Sequence, residues 1–288
     1  MDPSLRWGNN IGMPNPAPNL PPGSLWLIGC GNMAGAMLAG WLGAGADPAR
    51  ITVVRPSGKP AAQGVRTLTA LPEGEVPAIV LLGVKPQKLG EVAPSLAPVL
   101  APETILVSIL AGVELATLHA RFPAPRTIVK AMPNLPVSLN KGIVALHSDS
   151  QDEAARAAIE RLMTPLGLVE WFEDEARYHL AGNLTAAAPA FLFRFLDALA
   201  AASAELGLPA DQSARLAAAM AEGAGALAVA SMDTPARLAR RVASPGGTTE
   251  AGLNVLDAED GLGSLMLRTL EASRDRSVEM AKAAREAG

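Results

Sequence analysis

The sequence predicts an α/β fold in two parts: an N-terminal parallel sheet flanked by helices, then a C-terminal domain built only of helices. Three observations predict it. Short apolar runs alternate with longer helical stretches up to about Glu173, the pattern of a parallel sheet buried on both faces. Beyond Glu173 no strand pattern recurs. The first apolar run passes through a Gly-x-Gly turn directly into a helical stretch.

The elements follow in order. Met1 to Gly23 is rich in Pro, Asn and Gly without a period, and reads as a disordered extension. Leu25 to Ile28 reads as a strand and Asn32 to Gly43 as a helix. Further strands are expected at Ile51 to Val54, Ile79 to Val84, Thr104 to Ile109, Thr127 to Ala131 and Gly142 to Leu146. Gln151 to Met163 has the spacing of an amphipathic helix, and Leu168 to Phe172 closes the series as a short strand. Residues 24–173 therefore form one domain and 174–288 a second. In the second, Glu175 to Leu206 reads as one long helix, bent or interrupted at Pro189, which lacks a backbone donor. Gly207 and Pro209 end it and open the helix Ala210 to Ala230. Asp233 or Thr234 can cap the next, with Pro235 in its first turn. A loop at Ser244 to Gly247 precedes a helix from Thr248, and a last helix runs from Leu262 to about Glu286. These helices are Ala-rich and apolar on more than one face, which suits burial against a second subunit.

Composition narrows the function. Of 288 residues nearly half are apolar and only 3% aromatic, which favours close-packed helices. The formal net charge of −4, with no basic run, argues against a nucleic-acid footprint. Cys30 is the sole cysteine, so no intramolecular disulfide or thiolate metal cluster can form. His119, His147 and His179 show no metal-ligand spacing, and no metal is expected. No uninterrupted apolar run reaches bilayer length. There is no basic-then-apolar leader, so a soluble cytoplasmic protein is expected.

"GCGNMA" (Gly29 to Ala34) lies between strand and helix. Gly29 permits the tight turn, Gly31 lets backbone approach a pyrophosphate, and Ala34 is small where helix and strand pack closely. The helix start, at Asn32 and Met33, offers free N–H groups and the positive end of its dipole. This is the turn expected of a Rossmann-type dinucleotide domain, and a Gly-rich turn packed for structural reasons alone is the alternative. At the end of the second strand, where an NAD site carries Asp or Glu, stand Arg55, Ser57 and Lys59. Two cations and a hydroxyl suit a 2′-phosphate, so NADP(H) is expected rather than NAD(H).

Three later strands end in "GVKPQ" (Gly83 to Gln87), "SILAGV" (Ser108 to Val113) and "AMPNLP" (Ala131 to Pro136). Ligands of open α/β sheets lie outside the carboxyl ends of the strands, so these loops would wall a cofactor groove. Lys85 there supplies charge rather than a proton. Asn134 can hydrogen-bond an amide or a ribose, and can equally serve as a plain turn former.

"SPGGTTEAGL" (Ser244 to Leu253) is the most informative segment of the helical part. Pro245, Gly246 and Gly247 force a tight exposed loop, and Thr248 and Thr249 then open a helix whose first N–H groups point one way. With the hydroxyls of Ser244, Thr248 and Thr249 this makes a cradle for a carboxylate.

"VKPQ", "SILAGV", "MPNLP" and "SPGGTTEAGL", in this order after "GCGNMA", resemble the pyrroline-5-carboxylate reductase family over roughly residues 24 to 285. The resemblance implies a Rossmann domain, a helical dimerisation domain, and hydride transfer from NAD(P)H to the imine carbon of 1-pyrroline-5-carboxylate, giving L-proline. It implies that Val84, Lys85 and Pro86, with Ile109, Leu110 and Ala111, line the cofactor. It also implies that Ser244 to Thr249 hold the substrate carboxylate, and that interlocked dimers assemble further into rings of five. One stretch departs from the family. Where Gly-Ser-Gly-Pro-Ala-Tyr is usual, this chain has Ala186-Ala187-Ala188-Pro189-Ala190-Phe191. Alanine adds bulk and strengthens a helix, and a hydroxyl near the nicotinamide is lost.

A cyclic imine is readily protonated and its carbon then accepts hydride well, so no general acid is assigned. A 3-hydroxyacid dehydrogenase of similar plan would carry a lysine on the first long helix of its second domain, and Glu175 to Leu206 contains none. A reductase of another cyclic imine carboxylate, or a non-catalytic NADP-binding homologue, stays open on the sequence.

Overall fold

The computed structural model describes residues 25–286 and, within them, the side chains other than those of residues 183 and 280–286. The expected extension over Met1–Gly23 lies outside the described residues. The chain forms two compact units, residues 25–187 with 274–286, and residues 188–273.

The first unit is an eight-stranded sheet. In chain order its elements are β1 (Leu25–Ile28), α1 (Asn32–Gly43), β2 (Ile51–Val54), β3 (Arg66–Leu68), β4 (Ile79–Leu82), α2 (Leu89–Leu96), β5 (Ile105–Ser108), α3 (Leu115–Arg121), β6 (Thr127–Pro133), β7 (Gly142–His147), α4 (Glu153–Met163), β8 (Gly167–Phe172) and α5 (Glu175–Gly182). The strand order is β3-β2-β1-β4-β5-β6-β7-β8. All neighbours run parallel except β6 and β7. The sheet is thus parallel as expected, apart from that one pair. Only a short 3₁₀ turn, Leu135–Leu139, links the two strands, and a parallel return needs a crossover of a dozen residues or more.

Alternation along the strands builds two cores. Leu25 and Leu27 face a layer formed by Met37, Leu38 and Trp41 of α1 and Ile159 and Leu162 of α4. Trp26 and Ile28 face Leu89 and Leu96 of α2 and Leu118 of α3. Trp41 is tied in through its indole N–H, which donates to Leu162 O at 2.8 Å. Asp152 caps α4 by accepting from Ala155 N at 2.9 Å.

This unit continues past Glu173 because α5 is pinned to the sheet. Tyr178 is buried, and Lys130 of β6, only 3% exposed, pairs with Glu175 at 2.6 Å. Glu175 also accepts from Leu115 N, at the start of α3 (3.4 Å). A π-helical turn, Asn183–Ala187, follows α5.

The second unit is helical: α6 (Ala188–Glu205), α7 (Ala210–Ala230), α8 (Pro235–Val242), α9 (Thr248–Leu256) and most of α10 (Leu262–Glu286). Thr234 caps α8, accepting from Arg237 N at 3.4 Å, while Asp233 pairs with Arg237 and Arg241. α6 packs against α7. Leu192, Phe193, Phe195, Leu216, Met220 and Leu227 nevertheless stay exposed in the single chain. The helix Glu175–Glu205 is long and apolar enough to cross a membrane by length and composition.

Candidate active site

The parallel strands β1, β4, β5 and β6 bring their carboxyl ends to one edge, and most of the expected nucleotide-site residues gather there. Gly29 leaves β1 at φ +85°, and a Cβ on it would lie 2.9 Å from the Gly83 carbonyl and from Val84 Cγ1. Gly83 in turn would place a Cβ 2.8 Å from that of Ala34. The turn is thus locked into the end of β4, with Gly29 N donating to Val54 O and Gly83 N to Ile28 O, both at 2.8 Å.

Gly31 is different. A Cβ there would meet nothing within 4 Å, so the fold itself does not demand glycine. Gly31 is the N-cap of α1 and supplies no side-chain cap. The first intrahelical bond is from Gly35 N to Gly31 O, which leaves the N–H groups of Asn32, Met33 and Ala34 without helical acceptors. An open space before an uncapped helix start is what a pyrophosphate fits. Met33 and Ile109 pack their side chains against one core, and Val84 and Leu110 against the other. These residues can therefore face the groove chiefly with backbone. Lys85 and Ala111 are exposed, and Pro86 opens a 3₁₀ turn after Lys85.

At the end of β2, Arg55 shapes the following loop. Its Nε donates to Lys59 O at 2.8 Å, and Nη2 donates to the carbonyls of Lys59 and Pro60. Ser57 and Lys59 are exposed on the same loop. The guanidinium lies close enough to Cys30, in the glycine turn, to lower its thiol pKa, although burial is the larger influence and pushes that thiol up. A cationic loop beside the phosphate turn, with no carboxylate at the end of β2, suits a 2′-phosphate.

Asn134 does not project freely into the groove. Its Nδ2 donates to Thr185 O at 3.0 Å and its Oδ1 accepts from Ile143 N at 2.9 Å. Both ends of the amide brace protein backbone. Lys130 and Glu175, beneath the same edge, carry no sequence signal for pairing, because the two lie on elements far apart in the chain.

The helical unit carries the second constellation. Gly246 sits at φ +71°, where L side chains are strained. Gly247 N donates to Ser244 O at 2.9 Å, closing the turn. Gly246 N donates to Glu250 Oε2 at 2.7 Å. The two glycines therefore shape the loop and spend their own donors within it. Gly247 caps α9 without a side-chain bond, so the donors left for a ligand are the N–H groups at the start of α9 and the exposed hydroxyls of Ser244, Thr248 and Thr249. Glu250 was missed in the sequence reading, although its position three residues after the N-cap is a recognisable signal.

Residues 175–280 match the family model described as pyrroline-5-carboxylate reductase dimerisation. Residues 24–112 match one described as NADP oxidoreductase, coenzyme F420-dependent. The pyrroline-5-carboxylate reductase of Pseudomonas aeruginosa is 35% identical over 263 residues, covering 89% of this chain and 96% of that protein. Pyrroline-5-carboxylate reductase 3 of Danio rerio is 31% identical, covering 88% and 90%. Among solved structures, a pyrroline-5-carboxylate reductase from Coxiella burnetii superposes with a TM-score of 0.81 at 29% identity, covering 90% of this chain and 98% of that one.

Proposed function

The chain belongs to the pyrroline-5-carboxylate reductase family, and on that premise we propose that it reduces the C=N bond of 1-pyrroline-5-carboxylate with NADPH to give L-proline, the last step of proline biosynthesis. One observation carries the reading: the two helix starts that follow glycine turns, at Gly31 and at Gly247, lack a side-chain cap and leave their first N–H groups to a ligand. Two anionic groups can be held there, a pyrophosphate and a substrate carboxylate.

When bound, the cofactor supplies the hydride. The N–H groups of Asn32, Met33 and Ala34 hold its pyrophosphate. Arg55, Ser57 and Lys59 hold the 2′-phosphate, which favours NADPH over NADH. Backbone of Val84 to Pro86 and of Ile109 to Ala111 walls the groove. Ser244, Thr248 and Thr249 clasp the substrate carboxylate, with Gly246 and Gly247 shaping the loop that presents them. The protein needs no strong acid, because the ring nitrogen of the imine is itself basic. Its work is orientation, an effect that contributes up to roughly 7–11 kcal/mol.

The division of labour we assign is the phosphate-bearing part of the nucleotide to residues 24–173, and substrate binding with dimerisation to residues 174–288, whose first residues, up to 187, pack with the sheet unit. The exposed Leu192, Phe193, Phe195 and Leu216 form the face that a second copy covers, and dimers of this kind can close into rings. We place the enzyme in the cytoplasm, as a soluble homo-oligomer without nucleic-acid or membrane partners. The test is direct. Purified protein is mixed with NADPH and 1-pyrroline-5-carboxylate, and loss of reduced-nicotinamide absorbance is followed. Turnover faster than with NADH supports the reading. Faster turnover of the six-membered cyclic imine would shift the substrate, and cofactor binding without turnover would point to a non-catalytic homologue.

A further inference from the structure

The helix that follows β8 is broken at a definite place. Asn183–Ala187 is a π-helical turn between α5 and α6, and such turns sit disproportionately at functional sites. Its cause is local. Pro189 has no N–H, so the carbonyl four residues earlier, that of Thr185, cannot receive its usual helical bond. The Asn134 amide supplies a donor from outside the helix, Nδ2 to Thr185 O at 3.0 Å. Asn134 is held for this by its backbone and side-chain bonds to Ile143 of β7.

Two observations set the turn apart from a stability device. The Thr185 hydroxyl is buried without a hydrogen-bond partner among the described residues, which costs free energy. A proline inside a helix costs more, since it removes a backbone hydrogen bond and its ring crowds the preceding turn. The location gives the gain. Asn134 directly follows β6, at the edge where β1, β4 and β5 end. With the pyrophosphate at the end of β1 and the 2′-phosphate at the end of β2, the other half of a dinucleotide runs across β4 and β5 toward β6. The turn therefore stands at the nicotinamide end of the groove.

We infer that Asn134 is a positioning residue for hydride transfer: it replaces the donor missing at Pro189, holds the 183–187 turn in its irregular form, and that turn seats the nicotinamide ring. This rests on the reductase reading, and the test separates the two. Asn134→Asp keeps the shape and the acceptor for Ile143 N but removes the donor to Thr185 O. Wild type and variant are compared for turnover and for binding of two ligands, NADPH and adenosine 2′,5′-bisphosphate, which lacks the nicotinamide half. The expected result is a fall in kcat of about a hundredfold. NADPH affinity is expected to weaken about tenfold while affinity for the bisphosphate is kept, the signature of a lost contact at one end of the ligand. Unchanged kinetics, or equal weakening of both ligands, would overturn the inference. Should Asn134→Asp fail to fold, Pro189→Ala decides, since it restores the helical donor. A raised Tm with a lowered kcat supports the inference, and a raised Tm with unchanged kcat overturns it. An inactive wild type refutes the reductase reading, and the paired binding comparison then still judges the role of Asn134.

Discussion

At the residue scale, Gly29 and Gly31 belong to one motif but answer to different demands. Gly29 has a left-handed φ and no room for a Cβ, whereas Gly31 has neither constraint. Gly29→Ala is therefore expected to lower Tm and to weaken NADPH binding. Gly31→Ala is expected to leave the unfolding free energy within about 0.5 kcal/mol of wild type, yet to weaken NADPH at least about tenfold by filling the space before the α1 start. Thermal melts beside NADPH titrations check both, and a Gly31→Ala protein that binds NADPH normally would contradict the phosphate site. In the second cradle, Thr248→Val removes a hydroxyl from a solvent-exposed loop. The substrate KM is expected to rise about tenfold, the worth of one charge-assisted hydrogen bond, with NADPH affinity unchanged. Collapse of cofactor binding instead would mean that the two sites were misplaced. These residues were legible in the sequence because their meaning is local, a strand–turn–helix for Gly29 to Ala34 and a Pro-Gly-Gly helix start for Ser244 to Thr249. Asn134 was legible only as a polar group at the sheet edge. Its partner Thr185 lies on a different element, and no period in the chain connects them.

At the element scale, α5 depends on a pair that the sequence concealed. Lys130 lies in the middle of β6, where a run of apolar residues predicts only burial. Its ammonium is paired with Glu175 and lies 5.1 Å from the centre of the Tyr178 ring. Burial by itself would raise the Glu175 carboxyl, but the hydrogen bond and charge of Lys130, with the Leu115 N–H and His179, outweigh it and hold the group below the usual carboxylate range. Burial, followed by the Lys130 charge, holds the His179 imidazole below its usual value, against the opposing pull of Glu175 and Glu114. The signs agree. In each case the unfolded chain takes up a proton more readily than the folded one, so stability is full above the unfolded value and is lost as pH falls. Loss is expected to begin near the ordinary histidine value of about 6.5 and to continue through the carboxylate range. Glu175→Gln leaves Lys130 buried without its counter-charge, and is expected to cost about 1–3 kcal/mol at neutral pH and to flatten the carboxylate part of the pH–stability curve. Denaturant melts from about pH 2 to about pH 8, on the order of one per unit, show either outcome. Strong periodic elements were readable, such as Asn32–Gly43 and Ala210–Ala230, whose ends the structure reproduces. β3 was missed because Arg66–Leu68 is short and half polar. α2 and α3 were not delimited because they are short and α2 contains Pro94. The reversal at β7 was hidden because strand direction depends on the connection rather than on the strand.

At the scale of the whole molecule, the helical unit is too apolar outside for a lone chain. Phe193 is 60% exposed and Leu216 is 53% exposed, although the same sequence builds two well-filled cores around its sheet. The match of residues 175–280 to a dimerisation family fits an apolar exterior of this kind. Phe193→Glu is expected to shift the mass measured by light scattering from dimer or larger to monomer, because a desolvated carboxylate in an interface is strongly unfavourable. An unchanged mass would mean that the interface lies elsewhere.

If this chain moves a hydride from NADPH onto a cyclic imine, cofactor must be consumed and product formed in fixed proportion. Protein, NADPH and 1-pyrroline-5-carboxylate are mixed, and NADPH consumed and L-proline formed are measured in the same sample. One proline is expected for each NADPH oxidised, at a rate that falls when Thr248 is replaced. NADPH oxidation without proline, or no oxidation by protein that demonstrably binds NADPH, would contradict it.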